Sequence, residues 1–158
     1  RAFAGQGLAH YEVSNYAVPG EESRHNLHYW RGGEYLGLGA AAVGCLLTAP
    51  GHAERYKNLT DGHAYVRREA EQDVPREAER EVLDGATLLR ESLMLGLRTA
   101  EGVDVAFAEA RAGIPLSTGR EQALARATRL GQVELRDGRL HVPREQWLAL
   151  DGIVASLF

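Results

Sequence analysis

The longest apolar run of the chain, Leu36 to Ala49, is interrupted by Gly37, Gly39 and Gly44. It falls short of the roughly 18–20 residues that a membrane-spanning helix needs. Tyr35–Gly39 therefore reads as a short, fully apolar strand. The small residues Gly37-Leu38-Gly39-Ala40-Ala41-Ala42-Val43 form its continuation. At the carboxyl end of a parallel strand such residues let the backbone approach a ligand closely. A bare G-x-G lacks the third glycine of the dinucleotide fingerprint. The segment suits an adenine ring lying on Ala and Val better than a phosphate, and close packing of a helix on the strand is the plainer explanation.

The flanking residues extend this picture. Arg1–Leu8 is expected to be the tail of a helix stopped at Gly5 or Gly7. His10–Ser14 alternates and reads as a strand, followed by a turn at Val18-Pro19-Gly20 and a polar loop over Glu21–Arg31. Helix, strand, loop and apolar strand suit the end of a parallel sheet covered by helices. Arg55–Leu59 is a further candidate strand, and Asp61–Ala70 a helix with Thr60 as its N-cap. The polar stretch Arg68–Arg76 contains Pro75 and marks a domain boundary, dividing the chain into residues 1–75 and 76–158.

In the second part Ala78, Val82, Ala86, Leu89, Leu93 and Leu97 recur every three or four residues and predict one helix from Arg76 to Leu97. Val103–Ala112, stopped by Gly113 and Pro115, and Arg120–Leu130, stopped by Gly131, are two more. Val133–Val142 alternates around Asp137-Gly138, a strong hairpin signal. A last helix is expected over Arg144–Leu157. Three helices followed by a hairpin form the winged-helix pattern. The expected fold is thus α/β plus α+β.

The densest chemical cluster is Arg24–Gly33, which holds His25, Asn26, His28, Tyr29 and Trp30 between Arg24 and Arg31. Neutral imidazole can ligate heme iron, flat rings can pack on a porphyrin, and arginine can pair a propionate. The same residues also serve as ordinary core aromatics and backbone-bonded histidines. His25 and His28 alone are a weak zinc signal. Cys45 is the one cysteine, which excludes an internal disulfide and any four-cysteine metal site within the chain. It reads as a small buried hydrophobe.

Charge narrows the partners. Residues 1–75 carry seven Lys/Arg and nine Asp/Glu, and residues 76–158 carry eleven and thirteen. Neither half has the basic excess of a nucleic-acid binder. Arg120, Arg126, Arg129, Arg136 and Arg139 interleave with Glu121, Glu134 and Asp137 and read as a solvated surface.

Tyr11-Glu12-Val13-Ser14-Asn15-Tyr16-Ala17, Pro19-Gly20, Arg24 to Gly33, and Tyr35-Leu36-Gly37-Leu38-Gly39 together resemble the oxygen-independent coproporphyrinogen III oxidase-like radical S-adenosylmethionine proteins. The pattern His-Asn-x-x-Tyr-Trp at residues 25–30 is similar to the signature of the family's heme chaperone branch. Glu91 to Arg98 is similar to the family's carboxyl-terminal domain.

The resemblance implies the end of a partial β/α barrel over residues 1–75 and a winged-helix-like domain over 76–158. It implies heme contact by His25, Asn26, Tyr29 and Trp30, and S-adenosylmethionine contact by Gly37, Gly39, Ala42 and Val43. It also implies a 4Fe–4S cluster whose cysteine motif is absent here and is expected upstream of Arg1. Relatives commonly read G-x-G-A-x-A-H-S, whereas this chain has Val43 and Gly44 in the last two places. An apolar adenine contact survives that change, and any role of the histidine does not.

The expected function is that of a heme chaperone passing heme to a cytochrome-type acceptor. The setting would be cytoplasmic, and peripheral membrane association is compatible with it. Oxidative decarboxylation of coproporphyrinogen is the alternative, and a winged-helix DNA-binding module is a second one. Residues 1–158 alone are expected to catalyse nothing.

Overall fold

The computed structural model describes residues 4–70 and 77–158. A 3₁₀ turn at Ala4–Gln6 ends at Gly7, whose φ of 76° suits glycine. Two short strands follow, β1 (Ala9–His10) and β2 (Tyr16–Ala17), paired antiparallel. The single strand expected over His10–Ser14 is replaced by this small hairpin. The cause is local: the Ser14 N–H donates to the Glu12 carboxylate, and the Asn15 N–H donates to the Glu12 carbonyl. Glu12 is fully buried and forms a bridge to Thr99, so the hairpin is fastened to the later part of the chain.

The segment expected to be a polar loop contains helix α1 (Arg24–Trp30). Ser23 caps it, its hydroxyl accepting the Asn26 N–H, and Gly32 with φ 72° lets the chain turn away. Leu27 faces inward. Tyr35–Gly39 makes only a single bridge, from Tyr35 to Cys45. The glycine-rich run continues into β3 (Val43–Ala49), which pairs with β4 (His52–Asn58) across a turn at Pro50-Gly51. Helix α2 (Gly62–Ala70) is capped by Asp61, whose carboxylate accepts the Ala64 N–H, in place of the expected Thr60.

Strand β5 (Glu77–Asp84) completes the sheet in the order β3-β4-β5. This corrects the helix expected from Arg76. Glu79 stands opposite Lys57 and Glu81 opposite Arg55, and each pair is an ion pair. The alternating charges of β5 therefore satisfy β4 across the ladder. Ala78 and Val82, assigned to a helical stripe, are exposed on this strand. Every pairing among the described strands is antiparallel, so the expected parallel arrangement is not found in them. The boundary expected near Pro75 lies outside the described residues. The three-stranded sheet nonetheless takes strands from both sides of it.

Asp84 ends β5 and caps α3 (Gly85–Gly96), accepting the Thr87 N–H at 2.8 Å. Leu88, Leu89, Leu93 and Leu97 are completely buried and form the centre of the core. Strand β6 (Val103–Asp104) leads into α4 (Val105–Ala112), capped by Asp104 and closed by Gly113 in the left-handed conformation. Helix α5 (Glu121–Arg129) ends before Gly131, whose φ is positive. The expected hairpin is β7 (Glu134–Arg136) and β8 (Arg139–His141), and β6 pairs with β8 as a third strand. Asp137 and Gly138 both have positive φ, as the two central residues of a type I′ turn require. The chain closes with a 3₁₀ segment at Arg144–Ala149 and α6 (Leu150–Ala155), where one helix was expected.

Candidate functional site

Helix α1 sets the site, because it divides the expected heme residues between two faces. Successive residues are turned by about 100°, so His25 and Tyr29 lie on one face and Arg24, Leu27, His28 and Arg31 on the other. The structure shows this split. The exposed His25 ring meets Tyr29 edge-on at 4.9 Å, and Tyr29 meets the half-buried Tyr35 at 4.9 Å. The His25 nitrogens have no hydrogen-bond partner among the described residues. Asn26 is half-buried, with its backbone N–H committed to the Ser23 cap.

The opposite face lines a cleft of about 600 Å³, within the range of small-molecule sites. Arg24, Leu27, His28, Trp30 and Arg31 form one wall, and Val103, Phe107, Ala108 and Arg139 stand across from them. Of the four residues assigned to heme, only Trp30 lines this cleft. Arg31 makes two-oxygen contact with Glu101, its Nη2 lying 2.8 Å from each carboxylate oxygen. Arg139 pairs with Asp104 at 3.4 Å. These contacts tie α1 to the β6–β8 region. His28 is fixed in place: its Nε2 lies 2.7 Å from the Glu34 carbonyl, which only a protonated nitrogen can satisfy. The imidazole occupies the space over Gly33, where a Cβ would come within 2.3 Å of the ring.

The residues assigned to S-adenosylmethionine form a tightly braced loop. Asn58 is buried, and its side-chain amide donates to the carbonyls of Gly37 (3.1 Å) and Gly39 (2.9 Å). The Gly37 N–H donates to the Tyr56 hydroxyl, and the Gly39 N–H to the Tyr65 hydroxyl. A Cβ on Gly37 would lie 2.6 Å from the Val43 backbone, so this glycine permits the loop to fold against its own strand. Gly39 and Ala41 both have positive φ. The Ala42 carbonyl accepts the Asn58 N–H. The loop also carries exposed apolar side chains, those of Leu36, Leu38 and Val43. Tyr56, Asn58 and Tyr65 were missed in the sequence reading. Tyr56 and Asn58 are two apart on β4 and so share a face, which was the available signal.

Cys45 is buried, and that burial raises its thiol pKa. Tyr35 is likewise raised by burial. Beside them Arg55 holds the Glu91 carboxylate through both oxygens, at 2.6 and 2.7 Å. The hydrogen bond to Glu91 is the main reason the guanidinium pKa rises further. Among the described residues no three His, Cys, Asp or Glu side chains gather at a point suited to a metal. The residues present do not fit an iron–sulfur cluster. Nor is any described helix long and apolar enough to cross a membrane.

Comparison with known proteins places this geometry. Residues 83–148 match the HemN C-terminal domain family model. The chain is 41% identical over 100 residues to the heme chaperone HemW of Lactococcus lactis, covering 63% of this chain and 24% of that protein. It is 32% identical over 151 residues to the heme chaperone HemW of Mycobacterium tuberculosis, covering 96% of this chain and 35% of that protein. Residues 83–148 thus resemble a HemN C-terminal domain, and the chain as a whole is similar to the heme chaperones HemW. It spans about a quarter to a third of the length of these curated relatives. Its fold is similar to that of the Escherichia coli coproporphyrinogen III oxidase HemN, described as a radical SAM enzyme. The TM-score is 0.64 at 14% identity, covering 99% of this chain and 38% of the other.

Proposed function

We propose that the protein works as a heme chaperone: it holds heme on α1 and releases it to a cytochrome-type acceptor. The observation that carries this reading is the alignment with HemW of Mycobacterium tuberculosis along 96% of the chain. The exposed His25 imidazole would ligate the iron, with Tyr29 beside it as an aromatic contact. Asn26 would complete the contact set from the flank of the helix, with Trp30 lining the cleft beside it. Gly37, Gly39, Ala42 and Val43 would border the adenine of S-adenosylmethionine, with Val43 as its apolar contact. Bound with a 4Fe–4S cluster held by other residues, that cofactor would supply one-electron chemistry. In this reading residues 1–75 would carry the end of a partial β/α barrel and residues 76–158 a winged-helix-like domain, with the antiparallel sheet β3-β4-β5 joining the two parts. The setting is the cytoplasm, with peripheral membrane association where the acceptor is membrane-bound.

The fold likeness to an oxidase favours decarboxylation of coproporphyrinogen as the second reading. The two separate in one experiment. Full-length protein loaded with heme is mixed with an apocytochrome, and full-length protein carrying its cluster is incubated with coproporphyrinogen and S-adenosylmethionine under reducing, anaerobic conditions. Transfer of the Soret absorbance to the cytochrome without protoporphyrinogen formation supports the chaperone. Decarboxylation without transfer overturns it.

A further inference from the structure

The cleft beneath α1 has a chemistry of its own, distinct from the outward His25 face. Its floor and walls include Leu27, Trp30, Val103, Phe107 and Ala108. The Trp30 indole Nε1–H is buried and has no acceptor among the described residues. Burying such a donor unpaired is costly, and it marks a position suited to an acceptor oxygen. The rim is cationic. Arg24, Arg31 and Arg139 line the cleft against one carboxylate, that of Asp104. Arg31 and Arg139 are engaged with Glu101 and Asp104, whereas Arg24 has no ion-pair partner among the described residues. Phe107 is half exposed and offers a ring at the edge of the cavity.

We infer that this cleft is a second binding site, for a small planar aromatic molecule bearing a carboxylate. The aromatic body would lie among Leu27, Trp30 and Phe107, and its carboxylate would take the Trp30 N–H and the Arg24 guanidinium. The Arg24 guanidinium, which has no ion-pair partner among the described residues, selects an anion, and the apolar wall selects a ring system. Because His25 projects from the other face of α1, heme on His25 and a ligand in the cleft would bind together.

The probe is 1-pyrenebutyrate, titrated by fluorescence into the purified protein, with its methyl ester as the uncharged control. The expected result is one saturable site for the acid, with the ester bound at least fivefold more weakly. Arg24→Gln and Trp30→Phe should each weaken the acid about fivefold, the loss of one modest polar contact. Circular dichroism and thermal unfolding establish that both variants are folded. Saturation with heme should leave probe binding unchanged. Equal binding of acid and ester, no saturable binding, or no effect of either variant in folded protein would overturn the inference. Stoichiometric displacement of the probe by heme would overturn it as well, placing the tetrapyrrole in the cleft while leaving the chaperone reading intact.

Discussion

Asn58→Ala tests the bracing of the glycine-rich loop. The side-chain amide of Asn58 donates to two carbonyls, those of Gly37 and Gly39. Removing a buried partner costs about 1–3 kcal/mol for each group left unpaired. Both carbonyls keep a weaker contact: the Tyr56 hydroxyl lies 3.5 Å from Gly37 O, and the Ala42 N–H reaches Gly39 O at 3.3 Å. The expected loss is therefore toward the low end, about 2–3 kcal/mol in total. For a chain of this size that lowers Tm by about 5–10 °C. Urea unfolding followed by circular dichroism measures it, with the slope unchanged if the native state keeps its compactness. Asn58→Asp should be worse at neutral pH, because it turns a carboxylate toward two carbonyl oxygens. A loss below about 0.5 kcal/mol for Asn58→Ala, or an aspartate variant as stable as the original, would refute the bracing argument.

One further perturbation has a sign that the sequence alone would misjudge. Gly85→Ala opens helix α3 with the better helix former, yet its Cβ would lie 2.2 Å from the Ala112 carbonyl oxygen. It should destabilise by about 1–3 kcal/mol in urea unfolding, whereas Gly152→Ala in α6, where nothing lies within 4 Å, should stabilise by up to about 1 kcal/mol. Asp84 has a lowered pKa, chiefly because its carboxylate accepts the Thr87 backbone N–H. Its folded pKa lies below its unfolded value, so its contribution is complete above about pH 4 and fades as pH falls through the folded pKa. Asp84→Asn keeps a cap acceptor without the titration, so unfolding curves between about pH 5 and 2 should show a shallower loss for the variant.

The carboxyl-terminal half was largely legible. Gly113 and Gly131 terminate the helices they were expected to stop, and Asp137-Gly138 makes the expected turn. Local chemistry decides those features, and local chemistry is visible in sequence. The helix expected from Arg76 failed because its first turns have a three- to four-residue apolar period by coincidence. Glu79 and Glu81 pair instead with Lys57 and Arg55 across a sheet, and no local pattern shows that partner. Helix α1 went unread because its capping Ser23 precedes only seven residues, too short for a clear period. The aromatic cluster was found, but its division into an outward His25 face and an inward cleft depends on that unread helix. The brace from Asn58 joins residues about twenty apart through side chain to backbone, so it emerges only in three dimensions.

The central claim is that α1 holds heme through His25. Its most direct test is a heme titration of the protein and of His25→Ala, followed in the Soret region, with binding measured at matched protein concentrations. The account predicts that the variant loses the histidine-ligated spectrum and binds heme at least tenfold more weakly, a difference of about 1.4 kcal/mol. An unchanged spectrum and affinity in folded His25→Ala protein would contradict it.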